Sequence, residues 1–209
     1  MIILTGGAGM IGSMIAWHLN TILNKNQFVI VDEFLVPEQE KNIGKRDFID
    51  LIGKNELPNY LKSNSQIEAI IHMGAISATT ENNFNNLLKS NIRYSQFLWD
   101  WASANQVPLI YASSAATYGD GEFGYKDNSD ALLNYKPLNA YGYSKHFFDI
   151  WVQNQLQQNL PKPPKWFGLK FFNVYGPNEY HKGRMASVVY HAFNQFKKDG
   201  EVRLFKSKN

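Results

Sequence analysis

The sequence contains no cysteine, which removes disulfides, thiolate nucleophiles and sulfur-ligated zinc from consideration. Covalent chemistry falls to oxygen and nitrogen. Excess positive charge is also scarce, since 21 Lys and Arg against 18 Asp and Glu leave a net charge of +3 with His neutral. The lysines are scattered, whereas a nucleic-acid binder concentrates its basic charge on one face, so nucleic acid is not an expected partner. No apolar run reaches the roughly eighteen residues that a membrane-spanning helix needs. The opening Met-Ile-Ile-Leu-Thr-Gly-Gly lacks the basic and apolar regions of a secretory leader. The expectations are no membrane association and a cytosolic home. What is present is ample core material: 44% hydrophobic and 14% aromatic residues against 19% charged mark a chain that folds. At about 150 residues per domain, 209 residues make one large α/β domain or one domain with part of a second.

Short apolar runs alternate with longer stretches of helical period, the pattern of repeated β-α units around a parallel sheet. The candidate strands are 2–5, 27–31, 67–72, 107–112, 166–172 and 202–205. The candidate helices follow the glycine turn at 6–12 and occupy 83–106, 139–160 and 184–197. In the first of these three, Phe84, Leu87, Leu88, Asn91, Ser95, Leu98 and Ala102 trace one face, with Asn91 the polar intruder. The others carry Phe148, Val152 and Leu156, and Val188, Val189, Ala192 and Phe196. Segments 33–66 and 119–139 read as the least regular, and the prolines at 161, 163 and 164 stop a helix before the next strand. No internal repeat is evident.

Strand 2–5 runs directly into Gly6-Gly-Ala-Gly9-Met-Ile-Gly12 and then an apolar helix. Glycines at 6, 9 and 12 allow a tight turn, close approach of a pyrophosphate and close packing of helix on strand. The helix N-terminus then offers the phosphates free N–H groups and the positive end of its dipole. Asp32 falls at the end of the second strand, where a carboxylate accepts hydrogen bonds from the adenosine ribose. The combination predicts a dinucleotide site. Asp32 and Glu33 would repel a 2′-phosphate and favour NAD, while Lys41, Lys45 and Arg46 could neutralise one and favour NADP; charge counting alone leaves the two even.

A nicotinamide cofactor moves a hydride, so oxidation of an alcohol also needs a group to take the hydroxyl proton. Tyr141 and Lys145 stand at i and i+4, on one face of a helix. The ammonium together with a positive nicotinamide would lower the phenol from its usual pKa of about 10. Ser114, at the end of the preceding strand, could hydrogen-bond the same substrate oxygen.

With these features in this order, the chain resembles the extended short-chain dehydrogenase/reductases, which act on nucleotide-linked sugars. The matching stretches are TGGAGMIG at 5–12, HMGA at 72–75, Asn91, SSAATYG at 113–119, YGYSK at 141–145 and NVYGP at 173–177. The implied fold is α/β, a doubly wound parallel (Rossmann) sheet followed by the start of a smaller C-terminal substrate domain, divided as 1–172 and 173–209. The resemblance puts Met10 and Ile11 over the pyrophosphate, lines the cofactor with Met73, Gly74, Ala75, Ile76 and Ser77, and adds Lys145 and Val174 to its contacts. It also places Asn91 near the active site. The bland alternative for Asn91 is a buried amide satisfied by nearby backbone.

Within that group, ISATTE at 76–81, PLNAYGYSK at 137–145 and FFNVYGPNEYHKGRMASVVYH at 171–191 resemble the epimerases that invert C6 of an ADP-linked heptose. The resemblance implies an ADP-heptose substrate held by Ser114, Asn173, Arg184 and His191. It implies two acid/base residues, Tyr141 and Lys182, one for each orientation of a transient ketone; the alternative for Lys182 is a contact to the substrate diphosphate. Lys41 aligns with the 2′-phosphate lysine, so NADP is expected with NAD as the alternative, although Glu33 replaces the common Asn after Asp32. Members of the group continue beyond the position where this chain ends, so a shortened substrate pocket is expected, as is a homo-oligomer. A related nucleotide-sugar epimerase or dehydratase is the competing enzyme class, but Ala115 and Ala116 follow Ser114 where a dehydratase carries its carboxylate. A cofactor-sensing regulator without catalysis would lack the Tyr and Lys that this chain has.

Overall fold

Apolar runs such as Ile2–Leu4 and Phe28–Val31 make stable strands only when both faces are covered, and here they are. The computed structural model describes residues 1–33, 36–127 and 129–204. Strands β1 (Ile2–Thr5), β2 (Phe28–Val31), β3 (Asp50–Ile52), β4 (Ala69–His72), β5 (Leu109–Ser114) and β6 (Trp166–Phe171) form one sheet in the order β3-β2-β1-β4-β5-β6. Every pairing is parallel. This is the doubly wound order with its topological switch between β1 and β4. Because side chains alternate along a strand, Ile3 enters one core with Leu57, Leu98, Trp99, Leu109 and Phe148. Ile2 and Leu4 enter the other with Ala16, Leu19, Phe28 and Ile43.

The helices are α1 (Met10–Thr21), α2 (Glu38–Ile43), α3 (Leu57–Ser63), α4 (Phe84–Leu87), α5 (Tyr94–Ala104), α6 (Ser129–Leu132), α7 (Ala140–Gln157) and α8 (Val188–Asp199). A π-helical turn, Leu88–Arg93, joins α4 to α5. It widens the helix at Asn91, which is buried together with Leu87, Ser95, Leu98 and Ala102 of the predicted face.

Three expectations are corrected. Segment 33–66 is not irregular: it holds α2, β3 and α3, which pattern alone missed because β3 has only three residues and none is buried. The third predicted helix begins at Val188, not 184, since Tyr180–Met185 form a tighter 3-10 turn broken at Gly183 and the Ser187 hydroxyl caps α8 through the Tyr190 N–H. Residues 202–204 form no strand, and the Arg203 N–H donates instead to Gln195 Oε1 of α8 at 3.0 Å; position 205 lies outside the described residues. On α8, Val188, Val189, Phe193 and Phe196 are exposed and Ala192 is half-buried.

His72, at the end of β4, ties three elements together. Its Nδ1 lies 2.6 Å from Thr5 Oγ1 and its Nε2 lies 2.9 Å from Ser95 Oγ. Burial, with smaller contributions from the Lys145 and Lys54 charges, pushes its pKa down to about 3. The unfolded chain therefore takes up a proton near pH 6.5 that the folded chain refuses, so stability is full above pH 6.5 and is lost as the pH falls towards 3. We expect this residue to cost up to roughly 4 kcal/mol across that window. Urea midpoints measured from pH 7 to pH 4 check it: His72→Gln should be less stable at pH 7 yet show a flatter decline.

Candidate active site

Several of the residues expected from the sequence to carry function lie at the carboxyl ends of the strands, where the switch point opens a crevice. Gly6 follows β1, Asp32 follows β2, Met73 follows β4, Ser114 ends β5 and Asn173 follows β6. The glycine turn is forced by close backbone approach. Gly6 has φ +68°, and a Cβ there would lie 2.5 Å from the Gly74 nitrogen. A Cβ on Gly12 would lie 2.0 Å from the Gly6 carbonyl oxygen, so α1 can start against the strand only with glycine at that position. The Gly9 position is open apart from that same oxygen at 3.3 Å.

Asp32 locks the turn. Its carboxylate accepts from the Ala8 N–H at 2.8 Å and from the Glu33 N–H at 2.8 Å. Burial raises its pKa, against the opposing pull of the Ala8 and Glu33 N–H groups. Beside it is an open cleft of about 520 Å³ lined by residues that include Asp32, Glu33, Gly74, Ala75 and Ile76. Lys54, Ser90 and Tyr94 also line it, and sequence reasoning missed all three. Lys54 follows β3, donates to Ser90 Oγ at 3.0 Å and lies 4.9 Å from the Tyr94 ring centre. Burial lowers its pKa, while Glu33 opposes that shift. Among the described residues the Tyr94 hydroxyl is buried without a partner. An open glycine position, a carboxylate with spare lone pairs and an orphaned hydroxyl fit a nucleoside and its diphosphate.

Asn91 does not line the cleft itself. Its Oδ1 accepts from the Ile76 N–H at 2.9 Å, while its Nδ2 donates to Ile76 O and to Ser144 Oγ, each at 2.9 Å. It therefore fastens the 73–77 loop, which carries Ser77, to α7. Lys41 stands exposed on α2, outside the residues lining the cleft.

Asn139 caps α7 by accepting from the Gly142 N–H at 2.8 Å, which aims the first turn of the helix at the end of β5. Burial raises the Tyr141 pKa and a hydrogen bond with Ser114 lowers it. Lys145 is buried, donates to the Ala112 carbonyl at 2.8 Å and has its pKa lowered to about 8 by desolvation, partly offset by Asp149. Ser114 Oγ accepts from the Ala116 N–H at 3.1 Å, which turns its hydroxyl at the strand end. A phenol, a hydroxyl and a buried amine at one strand end can together hold and exchange the proton of a substrate alcohol.

The segment after β6 folds back over the glycine turn. Glu179 is buried and accepts from the Gly176 N–H at 2.8 Å, the Ser187 N–H at 2.5 Å and Ser187 Oγ at 2.9 Å. The loop so closed sets Asn178 on Ser13 Oγ at 2.9 Å and His181 beside Asn42 at 3.3 Å. Lys182 Nζ lies 3.9 Å from Met10 Sδ, at the start of α1. Ile11 follows on the first turn of α1 and is half-buried. Val174 and Arg184 are exposed and His191 is half-buried, stacked edge-on against Tyr190. Glu179 lies inside the stretch 171–191 that carried the resemblance; only the fold shows what it closes.

Several known proteins are similar. The ADP-L-glycero-D-manno-heptose-6-epimerase of Fusobacterium nucleatum is 52% identical over 212 residues, covering 99% of this chain and 62% of that protein. The protein of the same name from Nitratidesulfovibrio vulgaris is 42% identical over 99% of this chain and 63% of its own length. This chain thus spans about three fifths of the length of these curated relatives. The crystal structure of Helicobacter pylori ADP-L-glycero-D-manno-heptose-6-epimerase superposes with a TM-score of 0.81 at 31% identity, covering 98% of this chain and 65% of that one. The Bacillus cereus UDP-glucuronic acid 4-epimerase shares the fold, with a TM-score of 0.71 at 21% identity, covering 99% of this chain and 66% of that one. Residues 2–209 match the family described as NAD dependent epimerase/dehydratase, and since that match takes in β1, the glycine turn and every strand of the sheet, the chain belongs to this family.

Proposed function

We propose that this chain carries the cofactor half and the proton-transfer group of an epimerase that inverts C6 of an ADP-linked heptose. The observation that carries the reading is the meeting of Ser114, Tyr141 and Lys145 at one end of the sheet that also holds the glycine turn. Kinship with the heptose epimerases supplies the substrate. The C6 hydrogen of such a sugar has no neighbouring carbonyl, so it cannot leave as a proton; oxidation precedes inversion. When bound, a nicotinamide dinucleotide supplies a reversible hydride acceptor.

The chain's own residues do the rest. Gly6, Gly9, Met10, Ile11 and Gly12 with the α1 N-terminus hold the diphosphate, Asp32 and Glu33 the ribose, and Met73 to Ser77 with Val174 the remainder, the 73–77 loop steadied by Asn91. Tyr141 takes the C6 hydroxyl proton while Ser114 hydrogen-bonds the same oxygen. Once the ketone has turned, Lys182 returns a proton on the opposite side. Asn173, Arg184 and His191 hold the ADP-sugar. Residues 173–209 are in this reading the beginning of a substrate-binding domain, which the outward apolar face of α8 supports. A cytosolic location and a homo-oligomer belong to the same reading and rest on kinship alone.

NADP is the cofactor proposed, with NAD as the alternative. Lys54 supports this choice more strongly than Lys41, because its ammonium lies in the cleft beside Glu33. Denaturing the purified protein and analysing the supernatant by mass spectrometry should release a pyridine dinucleotide; none released, and none bound on titration, would sink the reading. We further expect Lys54→Ala to lower the NADP-to-NAD affinity ratio by about tenfold or more, the scale of one charged contact to phosphate. Lys41→Ala, measured by the same titration, should have the smaller effect. ADP-heptose followed by NMR for inversion at C6 tests the substrate assignment.

A further inference from the structure

The loop between β6 and α8 is closed by one carboxylate. Glu179 is 2% exposed, and it accepts from the Gly176 N–H at 2.8 Å and from the N–H and Oγ of Ser187 at 2.5 and 2.9 Å. Both ends of the loop are thereby fastened to a single side chain. Apolar packing does not hold it: none of Tyr180–Met185 is buried, and the Tyr180 and Met185 side chains are exposed. A segment with so little buried apolar surface opens locally unless something specific keeps it shut. Burying a charge is costly unless it is hydrogen-bonded, and here three donors from the ends of the loop meet that requirement.

The surface under the closed loop gives the carboxylate its use. Asn178 Nδ2 donates to Ser13 Oγ at 2.9 Å, and Ser13 in turn donates to the Met10 carbonyl at 3.0 Å. His181 Nδ1 lies 3.3 Å from Asn42 Nδ2, which donates to the Ala8 carbonyl at 2.8 Å. Lys182 Nζ lies 3.9 Å from Met10 Sδ. Gly183, at φ +52°, then turns the chain back so that Ser187 can return to Glu179. Three side chains of the loop therefore span the glycine turn from α1 to α2, across the helix N-terminus that faces a bound diphosphate.

We propose that Glu179 is a positioning residue that holds the 176–187 loop as a clasp across the diphosphate site, setting Lys182 beside the start of α1 and slowing the exit of the dinucleotide. The inference rests on the dinucleotide reading above, and it can be tested without turnover. Retention has a chemical reason. The hydride taken from C6 must return to the same carbon, so loss of the dinucleotide midway would strand the ketone. A clasp impedes exit and entry alike, so opening it quickens release without slowing entry. A carboxylate that only stabilised the chain would, on removal, lower the melting temperature and leave release from the folded protein unchanged.

The test is release of NADPH from the whole chain, followed by stopped-flow fluorescence as excess NADP+ displaces it. Entry is measured by mixing NADPH with the free chain, and NADH with NAD+ is run in parallel. Glu179→Gln keeps the size of the side chain but leaves it one accepting oxygen. Release should quicken about tenfold or more, the scale of hydrogen bonds to a charged group, with entry no slower. Asn178→Gly removes the contact to Ser13 at a backbone φ of +69°, which glycine adopts freely, and leaves Glu179 in place; release should quicken about fivefold. If Glu179→Gln does not fold, Asn178→Gly decides. Unchanged release in either folded variant, slower entry in either, or failure of both to fold would overturn the clasp and leave the proposed function standing. Binding of neither NADPH nor NADH by the wild-type chain would remove the proposed function and the clasp with it. Faster release in both variants, without inversion of ADP-heptose by the wild type, would leave the clasp standing and remove the substrate assignment instead.

Discussion

Tyr141→Phe is expected to slow inversion of an ADP-linked heptose about a thousandfold or more, the scale of a lost general acid/base. The phenol is half-buried, bonded to Ser114, and raised in pKa by that burial. Lys145 spends its hydrogen bond on the Ala112 carbonyl and is not among the groups that pull the phenol down. The Ser114 hydrogen bond and, when it is bound, the positive charge of an oxidised nicotinamide are what favour the phenolate, so activity should be sensitive to removal of the hydroxyl while dinucleotide binding is not. Lys182→Met should lose inversion on a similar scale if each orientation of the ketone needs its own acid/base. Comparison of turnover, with dinucleotide retained in both variants, checks the pair. Near wild-type turnover in Lys182→Met would make that residue a diphosphate contact, a role its place beside Met10 also suits, and would leave Tyr141 serving both faces.

Gly12→Ala is the other large effect. In a helix, Gly to Ala ordinarily stabilises by about 1 kcal/mol. Here the new Cβ would lie 2.0 Å from Gly6 O, 2.7 Å from Gly7 Cα and 2.8 Å from Gly6 C, all backbone atoms that no rotamer change can move. The sign reverses: α1 must lift off the turn, at a cost of about 3 kcal/mol or more. Its N-terminus would no longer point at the diphosphate, so dinucleotide affinity should fall at least a hundredfold, about 2.7 kcal/mol. Gly9→Ala, whose Cβ meets only Gly6 O at 3.3 Å, should cost less in stability while still crowding the ligand. Thermal melts and dinucleotide titration of the two variants give the ordering.

The features legible in the sequence were local ones. Strand 2–5, the turn at 6–12 and the i, i+4 pair of Tyr141 and Lys145 depend on neighbours in the chain, and spacing encodes those. Asn91 stood out for the same reason, as a polar residue on an apolar helix face, and its amide proved to bind backbone at Ile76. Other parts of the site come from contacts between distant segments. Lys54 reaches the cleft only because the short strand β3 pairs with β2, Val29 opposite Asp50, and no three-residue run announces that pairing. Asn178 meets Ser13, and Lys182 meets Met10, across more than 160 residues. Asp149 and Lys170 are brought together by the packing of α7 against a sheet in which β6 lies beside β5. Periodicity tells which face of an element turns inward; which side chains then meet is fixed only when the sheet order is fixed, and that order is a property of the whole chain.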